Sequence, residues 1–171
     1  MKSAMQIRGA RRQVASPWGP IILAAEADGL TALLLPDADG RPASHAGGVP
    51  ADPATAAVLA QAERELAEYF AGTRRTFKVP VAPAGTAFRQ EVWAALQTIP
   101  FGEVWSYARL AAAVGRPKGP RAVGQANGAN SVAIIIPCHR VIAADGTLGG
   151  YGGGLDRKAW LLAHEGVAPV A

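Results

Sequence analysis

The sequence predicts an α+β protein: a small N-terminal domain of antiparallel sheet plus helix, then a mostly helical C-terminal domain with a helix-turn-helix. Three observations lead there. Two short apolar runs flank Asp28-Gly29, the pattern of a hairpin. Pro80, Pro83 and Gly85 interrupt the chain, and its character changes after them. Beyond that connector, Thr86, Ser106 and Gly115 bracket short segments of helical periodicity as caps do. The expected boundaries are a first domain over 1–80, a connector over 81–86 and a second domain over 87–171.

Met1 to Val14 carries Lys2, Arg8, Arg11 and Arg12 without the apolar run of a secretory signal, and reads as a short disordered arm. Trp18 to Ala25 reads as a strand, Asp28-Gly29 as the turn and Leu30 to Leu35 as the partner strand. Residues 36–53, rich in Pro, Gly, Ala and Asp, read as a loop. Asp52 or Thr55 caps a helix running to about Ala71, with Pro53 tolerated in its first turn. Its apolar face holds Val58, Leu59, Ala62, Leu66, Tyr69 and Phe70, and Gly72 ends it. Thr76 to Val81 alternates well enough for another strand.

In the second domain Thr86 caps a helix through Leu96 that buries Phe88, Val92, Trp93 and Leu96, and Pro100 stops it. Ser106 caps Tyr107 to Val114, which Gly115 terminates. Pro117 and Pro120 precede a third helix over about Arg121 to Asn127. Two short helices with a tight turn between them, the second beside basic residues, make the expected helix-turn-helix. Ile134 to Ile136 reads as a short buried segment. The Gly-rich loop Gly149–Gly154 then leads into a last helix from about Leu155 to Glu165.

Composition narrows the classes. Of 171 residues, 50% are hydrophobic and 18% charged, which is globular rather than disordered. No apolar run reaches the roughly 18 residues of a transmembrane helix. The single cysteine cannot form an internal disulfide, and with three scattered histidines it cannot build a thiolate zinc cage. No metal is therefore expected, and the cytoplasm is the expected compartment. The net charge of +4 says less than its distribution. From Val104 to Ala144 the chain has Arg109, Arg116, Lys118, Arg121 and Arg140 and no carboxylate. Such a stretch is either a solvated basic face or a surface for a polyanion.

The chemistry centres on Pro137-Cys138-His139-Arg140. A lone cysteine is usually a small buried hydrophobe. This one ends a buried segment, and the polarity of His139 and Arg140 is expected to favour the thiolate, the form that attacks carbon. Because neighbouring side chains on an extended backbone point apart, His139 is expected to reach the sulfur only through a bend or a bridging water.

Ile136-Pro-Cys-His-Arg-Val141 resembles the active-site signature of the O6-alkylguanine-DNA alkyltransferases, also called methylated-DNA–protein-cysteine methyltransferases, of the stand-alone bacterial type. Residues 98–107 resemble the start of that family's helix-turn-helix, and Arg121-Ala-Val-Gly its recognition helix. Asn130 matches its hinge asparagine, and Gly150-Tyr151 and Trp160-Leu-Leu-Ala-His-Glu-Gly166 match further motifs. The close match covers about residues 86–167. The first domain matches only in general plan, which the resemblance makes ribonuclease H-like.

What the resemblance implies is direct reversal of DNA damage. The alkyl group of O6-alkylguanine, and by extension of O4-alkylthymine, passes once and irreversibly to Cys138. The implied catalytic residues are Cys138, His139 oriented by Glu165, Tyr107 serving the purine ring as guanine departs, and Asn130 beneath the site. The family usually has Asn-Pro where this chain has Asn130-Ser131, so a looser turn is expected. Glu165 falls in the last helical turn, where the macrodipole disfavours a carboxylate unless something compensates. Tyr107, Val141, Tyr151, Gly152 and Gly153 line the implied base pocket. Gly152 stands where some relatives have serine, which implies room for larger alkyl groups.

The expected DNA contacts are Ser106, Lys118, Arg121, Ala122, Gln125, Ala126, Asn127, Gly128 and Arg140. Arg121 fills the gap left by the flipped base. The small residues Ala122, Gly124, Ala126, Gly128 and Ala129 let a helix approach a narrow groove, so minor-groove docking on double-stranded DNA is expected. No cofactor is implied, because the lesion is itself the donor, and neither is a membrane or an obligate protein partner. Three alternatives fare worse. Non-catalytic relatives that only grip the lesion carry tryptophan at the nucleophile's position. Regulators built on this domain use an additional cysteine-rich domain. A cysteine hydrolase needs an oxyanion site and turnover, and neither is indicated.

Overall fold

The computed structural model describes residues 7–43 and 48–168. The start of the expected N-terminal arm and part of the loop expected over 36–53 lie outside the described residues. The chain divides into two compact units, Met1–Ala84 with Ser131–Ala133, and Gly85–Asn130 with Ile134–Ala171. The α+β class holds.

The first unit is built on a three-stranded antiparallel sheet in the order β1 (Ala10–Val14), β2 (Ile21–Glu26), β3 (Gly29–Leu34). The arm expected to be disordered is wrong from Ala10 onward, since Ala10 to Val14 pairs with Ala25 to Ile21. Its central residues, Arg11, Arg12 and Gln13, are polar because β1 is an edge strand. Strand β2 begins at Ile21 rather than Trp18, and its Ile21 to Ala25 run is buried throughout, as a central strand requires. The turn lies at Ala27-Asp28, and Gly29 already pairs with Glu26. A glycine is needed at 29, since a Cβ there would stand 2.8 Å from the Pro80 carbonyl oxygen.

Helix α1 (Pro53–Phe70) is capped by Asp52, whose carboxylate accepts from the Thr55 amide at 2.8 Å. Val58, Leu59, Ala62, Leu66 and Tyr69 are buried as expected, and Phe70 is half-buried, edge-on to Trp18. The expected strand over Thr76–Val81 does not form. The amides of Lys78 and Val79 donate instead to the buried Glu65 carboxylate of α1, at 2.9 and 3.0 Å, leaving only a bridge between Val81 and Leu30. Ser131–Ala133 runs along β3, with the Leu33 amide donating to the Ser131 carbonyl at 2.8 Å and the Ser131 hydroxyl to the Thr31 carbonyl at 2.9 Å. The turn expected to loosen without proline is thus tied on its serine side.

In the second unit α2 (Ala87–Leu96) is capped by Thr86 and buries Val92, Trp93 and Leu96, with Phe88 half-buried. The Trp93 indole donates to the Ala126 carbonyl at 2.8 Å, pinning α2 to α4 (Pro120–Gly128). Helix α3 (Tyr107–Ala113) is capped by Ser106, whose hydroxyl oxygen accepts from the Arg109 amide at 3.1 Å. A pairing that the sequence did not announce joins β4 (Trp105–Ser106) to β5 (Val141–Ile142) in parallel. Because β4 leads straight into Tyr107 and β5 leaves straight from the Cys138–Arg140 turn, it sets the two chemical segments side by side. Helix α5 (Leu155–His164) closes the unit. No described helix is long and apolar enough to cross a membrane.

Candidate active site

Cys138 begins a single 3-10 turn, Cys138–Arg140, and is 7% exposed. Its amide donates to the Ile136 carbonyl at 2.8 Å across Pro137 (φ −82°, ψ 63°), an inverse γ-turn that swings the chain out of the buried isoleucine run. Ile134 within that run has φ 72°, a region costing a β-branched residue about 1–3 kcal/mol. Asn130 secures the bend, its side-chain amide donating to the Ile136 carbonyl at 2.9 Å.

His139 is completely buried, and its Nε2 lies 2.8 Å from Oε1 of Glu165. Arg140 was expected to face DNA, but it is 6% exposed and turns inward. Its Nε donates to Glu165 Oε2 at 2.8 Å, Nη2 to Oε1 at 2.9 Å and Nη1 to the Ile99 carbonyl at 2.7 Å. The reason is the carboxylate at the C-terminal cap of α5: once buried it requires cationic donors, and His139 alone cannot fill both oxygens.

These contacts fix protonation. Burial alone raises the pKa of Glu165, but the hydrogen bonds and charges of His139 and Arg140 outweigh it and bring it down to about 2. Burial lowers the pKa of His139, against the pull of Glu165, so the imidazole is neutral near neutral pH. An ionised carboxylate only accepts, so Nε2 carries the ring proton and donates it to Glu165. Nδ1 is then the free lone pair, and it is buried without a protein partner. Cys138 also departs from expectation. Burial raises its pKa, and the opposing pull of the Asn130 hydrogen bond and the Lys158 charge does not cancel it. The Arg140 charge expected to favour the thiolate is spent on Glu165. The resting group is a thiol beside a buried base.

Tyr107, the first residue of α3, is half-buried, and burial with the nearby Cys138 charge raises its pKa. It stays a neutral hydrogen-bond donor. Its ring fits between two glycines: a Cβ on Gly124 would sit 3.6 Å from it, and one on Gly149 3.3 Å from its hydroxyl. Val141 is fully buried, and the buried Tyr151 hydroxyl has no protein partner. Gly153 is half-buried and Gly152 exposed, with open space where a Cβ would go.

On α4, Arg121, Ala122, Gln125 and Gly128 are exposed and share a face at helical spacing, and Lys118 is exposed before it. Ala126 and Asn127, expected on that face, are buried at 2% and 5% exposure. They belong to the inward stripe with Val123, and Asn127 reaches the Cys138 carbonyl at 3.4 Å. Sequence reasoning missed one residue altogether. Lys158 of α5 is fully buried, with Nζ on three backbone carbonyls. Its place on the apolar stripe with Leu161, Leu162 and Glu165 was the available signal.

Comparisons agree with this geometry. The family model described as the DNA binding domain of 6-O-methylguanine DNA methyltransferase matches residues 87–167. The one described as that enzyme's ribonuclease-like domain matches residues 11–83. The methylated-DNA–protein-cysteine methyltransferase of Mycobacterium leprae is 48% identical over 90% of each chain. The constitutive one of Bacillus subtilis is 46% identical over 90% of this chain and 93% of that one. Among solved structures, Mycobacterium tuberculosis OGT in complex with DNA aligns with a TM-score of 0.80 and 44% identity, covering 94% of this chain and 95% of that one.

Proposed function

This chain belongs to the 6-O-methylguanine DNA methyltransferase family, and from that premise we propose that it repairs DNA by taking the alkyl group of O6-alkylguanine onto Cys138, once and irreversibly. The observation that carries the reading is the 2.8 Å contact between His139 Nε2 and Glu165, which leaves Nδ1 as a buried base next to the chain's only thiol.

The proton of Cys138 passes to His139 Nδ1 through one bridging water. Sulfur then attacks the alkyl carbon, the sulfur–carbon bond forming as the bond from that carbon to O6 breaks. The electron pair of the broken bond stays on the purine, where the Tyr107 hydroxyl donates to it. The product thioether has no leaving group, so the protein is consumed. Asn130 and Asn127 hold the carbonyls on either side of the sulfur, which fixes the line of attack.

The α3–α4 pair serves as a helix-turn-helix that presents Arg121, Ala122, Gln125 and Gly128, with Lys118 and Ser106, to the minor groove of double-stranded DNA. Arg121 occupies the space of the extruded nucleotide. Val141, Tyr151, Gly152 and Gly153 border the pocket that receives it, and O4-alkylthymine is a second substrate. A free thiol as nucleophile suits the reducing cytoplasm.

The test is to mix the protein with an O6-methylguanine duplex and take intact and peptide masses. One methyl on the Cys138 peptide and a restored guanine are expected. Multiple turnovers, or no adduct, would contradict the reading.

A further inference from the structure

We propose that Lys158 is a positioning residue for alkyl transfer: its buried ammonium clamps the strand leaving the nucleophile to the loop entering the base pocket, and sets a fixed positive charge beside the Cys138 sulfur.

The clamp is read from geometry. Lys158 Nζ donates to the Val141 carbonyl at 2.6 Å, the Leu148 carbonyl at 2.5 Å and the Gly150 carbonyl at 3.1 Å. An ammonium has three donors and no acceptor, so its capacity is filled by these three oxygens. Val141 opens β5, directly after the Cys138–Arg140 turn. Leu148 and Gly150 belong to the segment that returns past Tyr107 and delivers Tyr151. One side chain therefore holds both walls of the pocket.

The charge is the less ordinary part. Lys158 is 0% exposed and forms no ion pair with a carboxylate among the described residues. Burying an ammonium against carbonyl dipoles alone is costly, and an apolar residue would fill the same helical position at lower cost. The ionisable groups around the thiol are His139 in its own turn, Tyr107 from α3, Tyr151 from the loop and Lys158 from α5. Among the described residues Lys158 is the cation whose charge favours the thiolate. The coupling is reciprocal: burial takes the lysine pKa down to about 8, while charge on Cys138 holds it up. Once Cys138 is a neutral thioether that support is gone, so the proton of Lys158 must be held less tightly than before.

This inference rests on Cys138 being the alkyl acceptor, and the experiment separates the two. In the full chain the ultraviolet absorbance of the thiolate reports Cys138 alone, because no other cysteine exists. Lys158→Met is expected to move the thiol titration up by about one unit and to slow reaction with free O6-benzylguanine about tenfold at neutral pH. The deficit should shrink in alkaline buffer. Lys158→Arg is expected to restore the titration but only part of the rate, since a planar guanidinium cannot reproduce three converging donors. A thiol titration unchanged in Lys158→Met, with only heat stability lost, overturns the proposal. Should that variant not fold, the unmodified chain decides: the nitrogen resonance of the Lys158 ammonium should titrate at lower pH after methylation of Cys138, and an unmoved midpoint overturns it. Failure to find the methyl on Cys138 would remove the functional reading itself, whichever way the lysine titrates.

Discussion

Arg140 grips Glu165 side-on, Nε on Oε2 at 2.8 Å and Nη2 on Oε1 at 2.9 Å, while His139 shares Oε1 from the other side at 2.8 Å. The carboxylate at the end of α5 is thus the hub of two consecutive residues, and the nucleophile is the residue before them. This pairing answers the unfavourable position of Glu165 against the helix dipole.

Removing one member of a buried ion pair strands the other. Arg140→Met should lower folding stability by about 3–5 kcal/mol, measured by denaturant unfolding. Folded Arg140→Met should keep the salt dependence of DNA binding unchanged, because the guanidinium is 6% exposed and fully engaged with protein. A shallower salt slope would put Arg140 back on the DNA surface.

Glu165→Gln should act on both chemistry and acid stability. Without the carboxylate, His139 loses the acceptor that keeps its proton on Nε2, and alkyl transfer should fall at least about tenfold, about 1.4 kcal/mol. A carboxylate whose folded pKa is about 2, against an ordinary 4.5, stabilises the fold fully above 4.5 and loses that contribution as pH falls through 2. The unmodified chain should therefore lose on the order of 3 kcal/mol across that window. The glutamine variant should lack this slope. Depression of the His139 pKa adds loss in the same direction, beginning below its ordinary 6.5. Parallel stability–pH curves for the two proteins below pH 4.5 would count against the assignment.

Arg121 stands on the exposed face of α4, away from the catalytic turn in sequence and without a hydrogen bond into it. Arg121→Ala should slow reaction with an O6-methylguanine duplex by at least about tenfold. Reaction with free O6-benzylguanine should stay near the parent rate, because a free base needs no flipping. Equal losses on the two substrates would cancel its role.

Gly152 has open space where a side chain would start and a backbone that any residue can adopt. Gly152→Ser should fold normally and isolate the effect of bulk at the pocket rim. Relative to O6-methylguanine, its rate with O6-benzylguanine should drop about tenfold, the scale of one methylene's worth of crowding. An unchanged ratio would mean that the missing side chain does not set alkyl preference.

The helices were legible where their signals are local. Asp52, Thr86 and Ser106 each bond an amide three residues on, so α1, α2 and α3 begin where the sequence says they do. Strand β1 was not legible, because an edge strand with arginines on it is recognised only through its pairing with β2. Residues 76–81 misled for the opposite reason: their alternation is real, but Glu65 took the amides that a strand needs.

At the site, residue identities and order along the chain were enough to single out Cys138, His139, Glu165, Tyr107 and Asn130, because a family's chemistry is written in contiguous motifs. Where the charges go was decided only by folding. Arg140 and Lys158 look like surface cations in one dimension, and Asn127 and Ala126 look like the groove-facing side of a short helix. Burial reverses each reading, since a carboxylate or a ring of carbonyls removed from water compels whatever donor lies within reach to turn toward it.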